Sequence, residues 1–478
     1  MDLSVQRQKL SDADAGGEDC LSALPDDLLI HILVLLDDAA EAARTSVLAS
    51  RWRRLWLLLP ELNLNSIEHH RIGAVLAAHE APDLTRLIAR TKDASPESLS
   101  AWLPLAARVL SGHMRLELEE VQRGAEERGA AVDLPCFHKA TSIVLNLGLL
   151  DLALPPNGVF ARLQELQLIG IRLHGQSGFG DLLSSQRCPY LWFLRVSDAR
   201  GLDSLNIQSD SLMCMELLDL HRLPQLTVVA PELRKLQLST SMDPRNTELA
   251  VANISAPLLM SLEWMDVYYP SSIQFDAMAH LESLGIHFYI LDEEEEEAFE
   301  HNHYWLTFLQ RYEHIRSLDL MISYPSVICT GPYLTENMPS LPNITFLMLS
   351  LIVWGHSFGA SLFDVLRRCT GVKKLHLDFF PENQSEEPCP SGCICDQPAN
   401  WRTEELALNC LEEIKIHMRG TEHEVALVQR IFHWATVLRR AKISFHEPIT
   451  ESNERELRQL LLSFPRVDIS MDFSVFGQ

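Results

Sequence analysis

One short phrase recurs along this chain and limits its fold more than any other feature. It is L-x-x-L-x-L, with Ile, Val or Met in some of the apolar places. It reads "LQELQL" at Leu163, "LWFLRV" at Leu191, "LDSLNI" at Leu202, "MELLDL" at Met215, "LRKLQL" at Leu233, "LMSLEW" at Leu259 and "LESLGI" at Leu281. It continues as "IRSLDL" at Ile315, "ITFLML" at Ile344, "VKKLHL" at Val372, "LEEIKI" at Leu411 and "LRRAKI" at Leu438, with weak earlier copies starting near Ala140. In an x-L-x-L-x strand the two apolar residues face one side and the residues between them face the other. Copies at fixed spacing stack against their neighbours and build a curved solenoid. Several copies lie 22–29 residues apart. Closer copies, such as those at Leu191, Leu202 and Met215, predict extra strands with little helix between them. The expected fold class is α/β, an irregular solenoid with a parallel sheet.

Three places after the last apolar residue of the phrase, an Asn or Cys ladder would regularise such an array. Ile171, Ala199 and Asp210 stand there instead, so the array is expected to be irregular. The outward strand positions form a candidate binding surface. Early copies offer Glu165, Gln167, Phe193, Arg195, Ser204, Asn206 and Asp219, and late copies offer Lys374, His376, Lys415, Arg440 and Lys442. The late set reads as a basic strip suited to an acidic or phosphorylated target, or as chance clustering on a solvated face.

In front of the repeats stands "LPDDLLIHILVLLDDAAEAARTSVLASRWRRLW", Leu24 to Trp56. Pro25 suits a helix start, and Asp26 and Asp27 suit the positive end of the helix dipole. Leu28, Leu29, Ile32, Leu33 and Leu36 recur at helical spacing. "DDAAEAA" interrupts them, and a second helix is expected to carry Val47, Leu48, Trp52, Leu55 and Trp56. So small an apolar unit must dock on the rest of the chain or on another protein.

The chain has 65 acidic and 40 basic residues, a net charge of -25, which disfavours nucleic acid and anionic membranes as partners. No apolar run approaches the roughly 18 residues a membrane span needs. The polar first 19 residues read as a disordered tail rather than a signal peptide. Ten cysteines scattered through apolar runs suggest buried thiols in a reducing compartment.

Three strings touch on chemistry. "GHSFG", Gly355 to Gly359, lies between a strand-like and a helix-like run, the setting of a hydrolase nucleophile elbow. Asp378 and His446 are available as acid and base, but no Gly-rich oxyanion segment precedes Ser357, and the string reads as a strand-to-helix turn within a repeat. "CPSGCIC" offers Cys389, Cys393 and Cys395, without the C-x-x-C spacing of structural zinc sites, and reads as a solvated loop. "DEEEEE", Asp292 to Glu297, reads as a solvated loop between repeats.

Leu24-Pro25, the Leu28/Ile32/Leu33 helix and "RTSVLASRWRRLW" together resemble an F-box in the style of plant F-box proteins. The body resembles their leucine-rich repeats, and Leu411 to Phe445 resembles their C-terminal FBD region, with Val425, Val428, Ile431, Phe432 and Ala435 as its helix stripe. Plant members often carry a proline in the interhelix turn. Asp37-Asp38-Ala39-Ala40 stands here, so a looser turn is expected.

The resemblance implies the following plan: a tail at 1–19, an F-box at 20–62, degenerate repeats at 63–400 with a Cys-containing insertion at 380–403, and FBD-like terminal repeats with a cap at 401–478. It implies a substrate-recognition adaptor of a cullin-based ubiquitin ligase, without catalysis, cofactor or metal, in the nucleus or cytoplasm. The linker subunit of the ligase would be met by Leu24, Pro25, Leu28, Ile32, Leu33, Val47, Leu48, Trp52 and Trp56. A target protein would be met by Phe193, Arg195, Lys374, His376, Lys415, Arg440 and Lys442. The alternatives are a repeat scaffold that does not dock to a ligase and a serine hydrolase built on Ser357.

Overall fold

The computed structural model describes residues 24–65, 67–92, 94–118, 130–173, 178–221, 223–239, 250–289, 296–312, 314–324, 338–353, 355–380, 395, 399–445, 455, 459 and 470–475. Among these, a parallel sheet of 17 strands dominates. Apart from a side pairing of Val132–Asp133 with Ser142–Ala153, its strands follow one another in chain order from Glu61–Asn63 to Ser470–Val475. The α/β solenoid expected from the phrase is the observed fold. It starts earlier than Ala140: Glu61–Asn63, Leu84–Thr91 and Leu110–Leu118 already belong to the sheet.

The phrase sets the inside of the array. Leu166 and Leu168, Leu236 and Leu238, Leu318 and Leu320, and Leu375 and Leu377 are all buried in one continuous core. Each such side chain contributes about 1.5–3 kcal/mol on burial. One copy was framed wrongly in the sequence. Met215 and Leu217 pair with Leu194 and Val196, so the phrase there is "LMCMEL" from Leu212. Glu216, not Asp219, is the outward residue of that strand.

"LDSLNI" is not part of the main sheet. Its strand Leu205–Gln208 opens a second parallel sheet with Gln225–Val229, Val251–Ser255 and Ile273–Phe275. These strands alternate along the chain with main-sheet strands, as the close spacing predicted. Asn206 therefore lies in this outer sheet and Ser204 just before it, not on the face formed by the main strands.

The missing Asn ladder has a backbone substitute. Gly170, Asp198 and Asp219 occupy one row on three adjacent strands, and all three have left-handed φ (58°, 48° and 51°). Glycine and aspartate tolerate that region best. Ile171 and Ala199 are buried directly after this kink.

Helices cover the outer side elsewhere. They are α1 (Asp26–Val34), α2 (Ala39–Arg44), α3 (Trp52–Leu55), α4 (His69–Ala78), α5 (Pro96–Val109), α6 (Phe179–Leu182), α7 (Glu296–Arg311), α8 (Gly359–Arg368) and α9 (Glu422–Trp434). Ser95 caps α5 with Pro96 at its first position. Thr421 and Glu424 form a reciprocal capping box on α9. Val425, Val428, Ile431, Phe432 and Ala435 are buried as the stripe required. Glu296 and Glu297 of the acidic run begin α7, and the rest of that run lies outside the described residues.

The front module is more broken than its apolar pattern suggested. α2 forms from "AAEAAR", and the expected second helix is reduced to α3 between the 3-10 turns Thr45–Val47 and Trp56–Leu58. The "DDAA" turn is built, not loose. Asp37 takes a left-handed φ of 51°, and the Asp38 carboxylate accepts from Ala40 N at 2.7 Å and Glu41 N at 3.2 Å, capping α2. Asn63 of the first strand donates to Asp37 O at 2.7 Å, tying the turn to the sheet.

Candidate docking face and target surface

The front module has an inner and an outer apolar face. Leu29, Leu33, Ala42, Trp52 and Leu55 belong to the same core as the repeats. Arg54 reaches Glu80 at 2.7 Å, a second tie to the first repeat turns. Leu33 and Trp52 therefore do not present a surface: both are nearly fully buried, and they weld the module to the solenoid. Leu24 and Trp56 are half-buried and pack on that core, and Pro25 is exposed.

The outer face is unusual for a folded chain. Leu28, Ile32, Leu35 and Leu36 follow the i, i+4, i+7, i+8 spacing of a helix stripe. Leu35 is 72% exposed and Leu28 50% exposed. Val47 and Leu48, at the end of the turn after α2, are 86% and 65% exposed. Several large aliphatic side chains left exposed on one small module suit an interaction site. Leu35 and Leu36 do not stand out in the sequence as outward residues, because it does not show that α1 ends at Val34.

The face formed by the main strands has rows fixed by the sheet register. Its middle row runs Arg195, Glu216, Gln237, Glu263, Gly285, Asp319, Met348, His376, Lys415 and Lys442. The row changes sign along its length. Glu216 receives Lys235 at 3.0 Å and Arg195 at 3.7 Å, so Arg195 is already neutralised. Burial, reinforced by the Glu216 charge, raises the Glu263 pKa, while Gln237 donates to its carboxylate at 2.8 Å. Asp319 is pushed up to about 7, first by burial and then by the Glu263 and Asp378 charges. Gly285 stands between the two carboxylates, and a Cβ there would meet Glu263 Cγ at 2.9 Å.

At the other end the register does bring Lys374, His376, Lys415, Arg440 and Lys442 onto three adjacent strands. The strip is weaker than a list of bases implies. Glu413 sits between Lys374 and Arg440 and pairs with both, at 3.8 and 2.9 Å. His376 packs edge-on against Phe346, and burial and the Lys415 charge lower its pKa. Phe193 lies far along the same sheet, four strands before Gly285, and does not join these bases.

Ser357 has a partner that its sequence did not indicate. Its Oγ lies 3.0 Å from His423 Nε2 at the start of α9. Asp378 instead faces His417 at 3.6 Å, and His446 lies outside the described residues. The turn is not a strained elbow. Gly355 has the left-handed φ, 75°, whereas Ser357 is absent from the left-handed residues. Gly359 makes room for Trp401, whose indole would lie 2.3 Å from a Cβ at that position. His423 is itself packed between the Phe358 and Trp401 rings. Cys395, expected in a solvated loop, is buried, and its Sγ accepts from Ser357 N at 3.2 Å. Cys389 and Cys393 lie outside the described residues, and among the described residues no group of His, Cys, Asp or Glu is arranged to hold a metal ion.

Fold and faces define a class: a leucine-rich-repeat solenoid fused to a small helical module with an exposed aliphatic face. The family model described as "FBD-associated F-box protein At5g56370, LRR repeats" matches residues 99–280. The "Putative F-box/FBD/LRR-repeat protein At5g56810" of Arabidopsis thaliana is 25% identical over 94% of both chains. The "Putative F-box/FBD/LRR-repeat protein At4g03220" and "F-box/FBD/LRR-repeat protein At3g52680" of the same plant are each 26% identical, over 54% and 56% of this chain. Those two alignments span 53% and 65% of the relatives' own lengths. By these matches the chain is similar to plant F-box/leucine-rich-repeat proteins with a C-terminal FBD region.

Proposed function

We propose that the chain is a substrate-recognition adaptor of a cullin-based ubiquitin ligase. The exposed aliphatic set Leu28, Ile32, Leu35, Leu36, Val47 and Leu48 docks to the linker subunit, and the repeats hold a target protein. The observation that carries this reading is the division of the front module: one apolar face is consumed by the solenoid and the other is left outward. In this reading the domain plan divides the labour, with 20–62 for docking and the repeats through 478 for recognition. The adaptor does no bond chemistry; it supplies effective concentration and geometry. Among the described residues, Cys136, Cys188, Cys214, Cys369, Cys395 and Cys410 form no disulfide, which suits the nucleus or cytoplasm.

The test is co-purification of a cullin complex with the intact chain from cells. Leu28→Asp with Leu35→Asp should abolish co-purification and let bound targets accumulate. Deletion of 20–60 is a poor control, because it would unroof core residues such as Leu62 and Leu64. Recovery of the complex at wild-type level with the double variant would refute the docking face. A serine hydrolase is the second reading, resting on the Ser357–His423 contact alone.

A further inference from the structure

The edge of the solenoid carries a basic groove separate from the strip on the strand face. Arg311 at the end of α7, and His314, Arg316, Asn343, Thr345 and Lys373 on the turns that follow, line an open groove of about 760 Å³. Backbone bonds hold three of them in register: Thr345 N donates to Arg316 O and Lys373 N to Thr345 O, both at 2.8 Å. Adjacent strands lie about 4.8 Å apart, so the Arg316 and Lys373 backbones flank Thr345 within reach of one group.

Two features set this groove apart. The chain carries a net charge of -25, and on the strand face Arg195, Lys235, Lys374 and Arg440 are all met by carboxylates. Among the described residues, none of Arg311, His314, Arg316 and Lys373 forms an ion pair. The groove also opens onto an apolar hollow of about 320 Å³ lined by Leu309, Tyr312, Ile315, Leu341 and Ile344, which shares Gln310, Pro342 and Asn343 with it. Two arginines, a lysine and a histidine exceed what one carboxylate needs. They match a phosphoryl group, with a charge of about -1.5 to -2 and three acceptor oxygens.

We propose that this groove binds a phosphorylated segment of the target protein, with the phosphate on Arg311, Arg316 and Lys373 and a neighbouring aliphatic side chain in the hollow. The inference rests on the reading that the repeats hold a target. It does not depend on docking to a ligase.

The test is fluorescence anisotropy of the full chain with three labelled degenerate peptide pools. Each pool fixes a leucine next to phosphoserine, serine or aspartate. The phosphoserine pool should bind. Arg316→Ala with Lys373→Ala should weaken that binding on the order of 10–100-fold, the loss expected for charge-assisted hydrogen bonds. Arg90→Ala with Arg115→Ala, two basic residues paired with Glu117 far from the groove, should leave it unchanged. Equal binding of the serine or aspartate pool, no binding of any pool, or an unchanged affinity in the Arg316/Lys373 variant would overturn the proposal. Retained linker-subunit binding in that variant separates a failure here from a failure of the adaptor reading.

Discussion

Acidification should loosen α7 through two buried histidines. His301 Nδ1 accepts from Tyr268 N at 2.9 Å and its Nε2 donates to His287 O at 2.7 Å, so the neutral ring joins α7 to the sheet. His287 Nε2 lies 2.6 Å from Ser323 Oγ. Burial lowers the His287 pKa to about 3, helped by repulsion from His301, and burial lowers His301 to about 4. Both folded values lie below the unfolded value of about 6.5. The unfolded state therefore binds more protons, and stability is full above about pH 6.5 and lost as pH falls towards 4. At pH 5 each histidine costs about 1.5 pH units times 1.36 kcal/mol, or about 2 kcal/mol, and the pair about 4 kcal/mol. Amide hydrogen exchange across α7, converted to an opening free energy at pH 7.5 and pH 5, reads this locally. His301→Gln keeps a donor and an acceptor but cannot titrate, so it should halve the wild-type pH effect. Equal pH dependence in wild type and variant would refute the argument. So would an α7 opening energy that does not change between the two pH values.

Three further outcomes are expected. Gly359→Ala drives a methyl into the Trp401 indole, 2.3 Å away, and should destabilise the chain by about 1–3 kcal/mol in a thermal melt. Trp52→Ala empties a buried site in the shared core and should cost about 3–5 kcal/mol of stability, so its loss of docking would track unfolding rather than a missing contact. Ser357 should not label with a fluorophosphonate probe, and Ser357→Ala should melt within about 1 kcal/mol of wild type, because the contact to His423 that it loses is only half-buried.

The solenoid was legible because burial on one side of a strand forces period-two spacing, and Leu166/Leu168 or Leu375/Leu377 spell it directly. The outer sheet was half legible: close spacing foretold extra strands but not that Leu205–Gln208 would leave the main sheet. The frame at Met215 failed because Met213, Met215, Leu217 and Leu218 offer two apolar registers, and only pairing with Val196 chooses between them. In the front module, composition revealed how much apolar surface there was but not which half faced out. Trp52 reads as an anchor in sequence and is a core residue in space, while Leu35 gains its exposure from where α1 ends. The Ser357–His423 contact joins residues 66 apart, and no local pattern encodes it.

The central claim is that the outward aliphatic face binds the ligase's linker subunit. Calorimetric titration of the intact chain with purified linker subunit tests it most directly, comparing wild type with Val47→Ala, Leu48→Ala. Both side chains are mostly exposed, so the substitutions should leave the melting temperature unchanged. Burial at the interface should give each about 1–2 kcal/mol, so the double variant should bind roughly 30–1,000-fold more weakly. One-to-one binding by wild type with that loss is the predicted result. No binding by wild type, or equal binding by both chains, would contradict it.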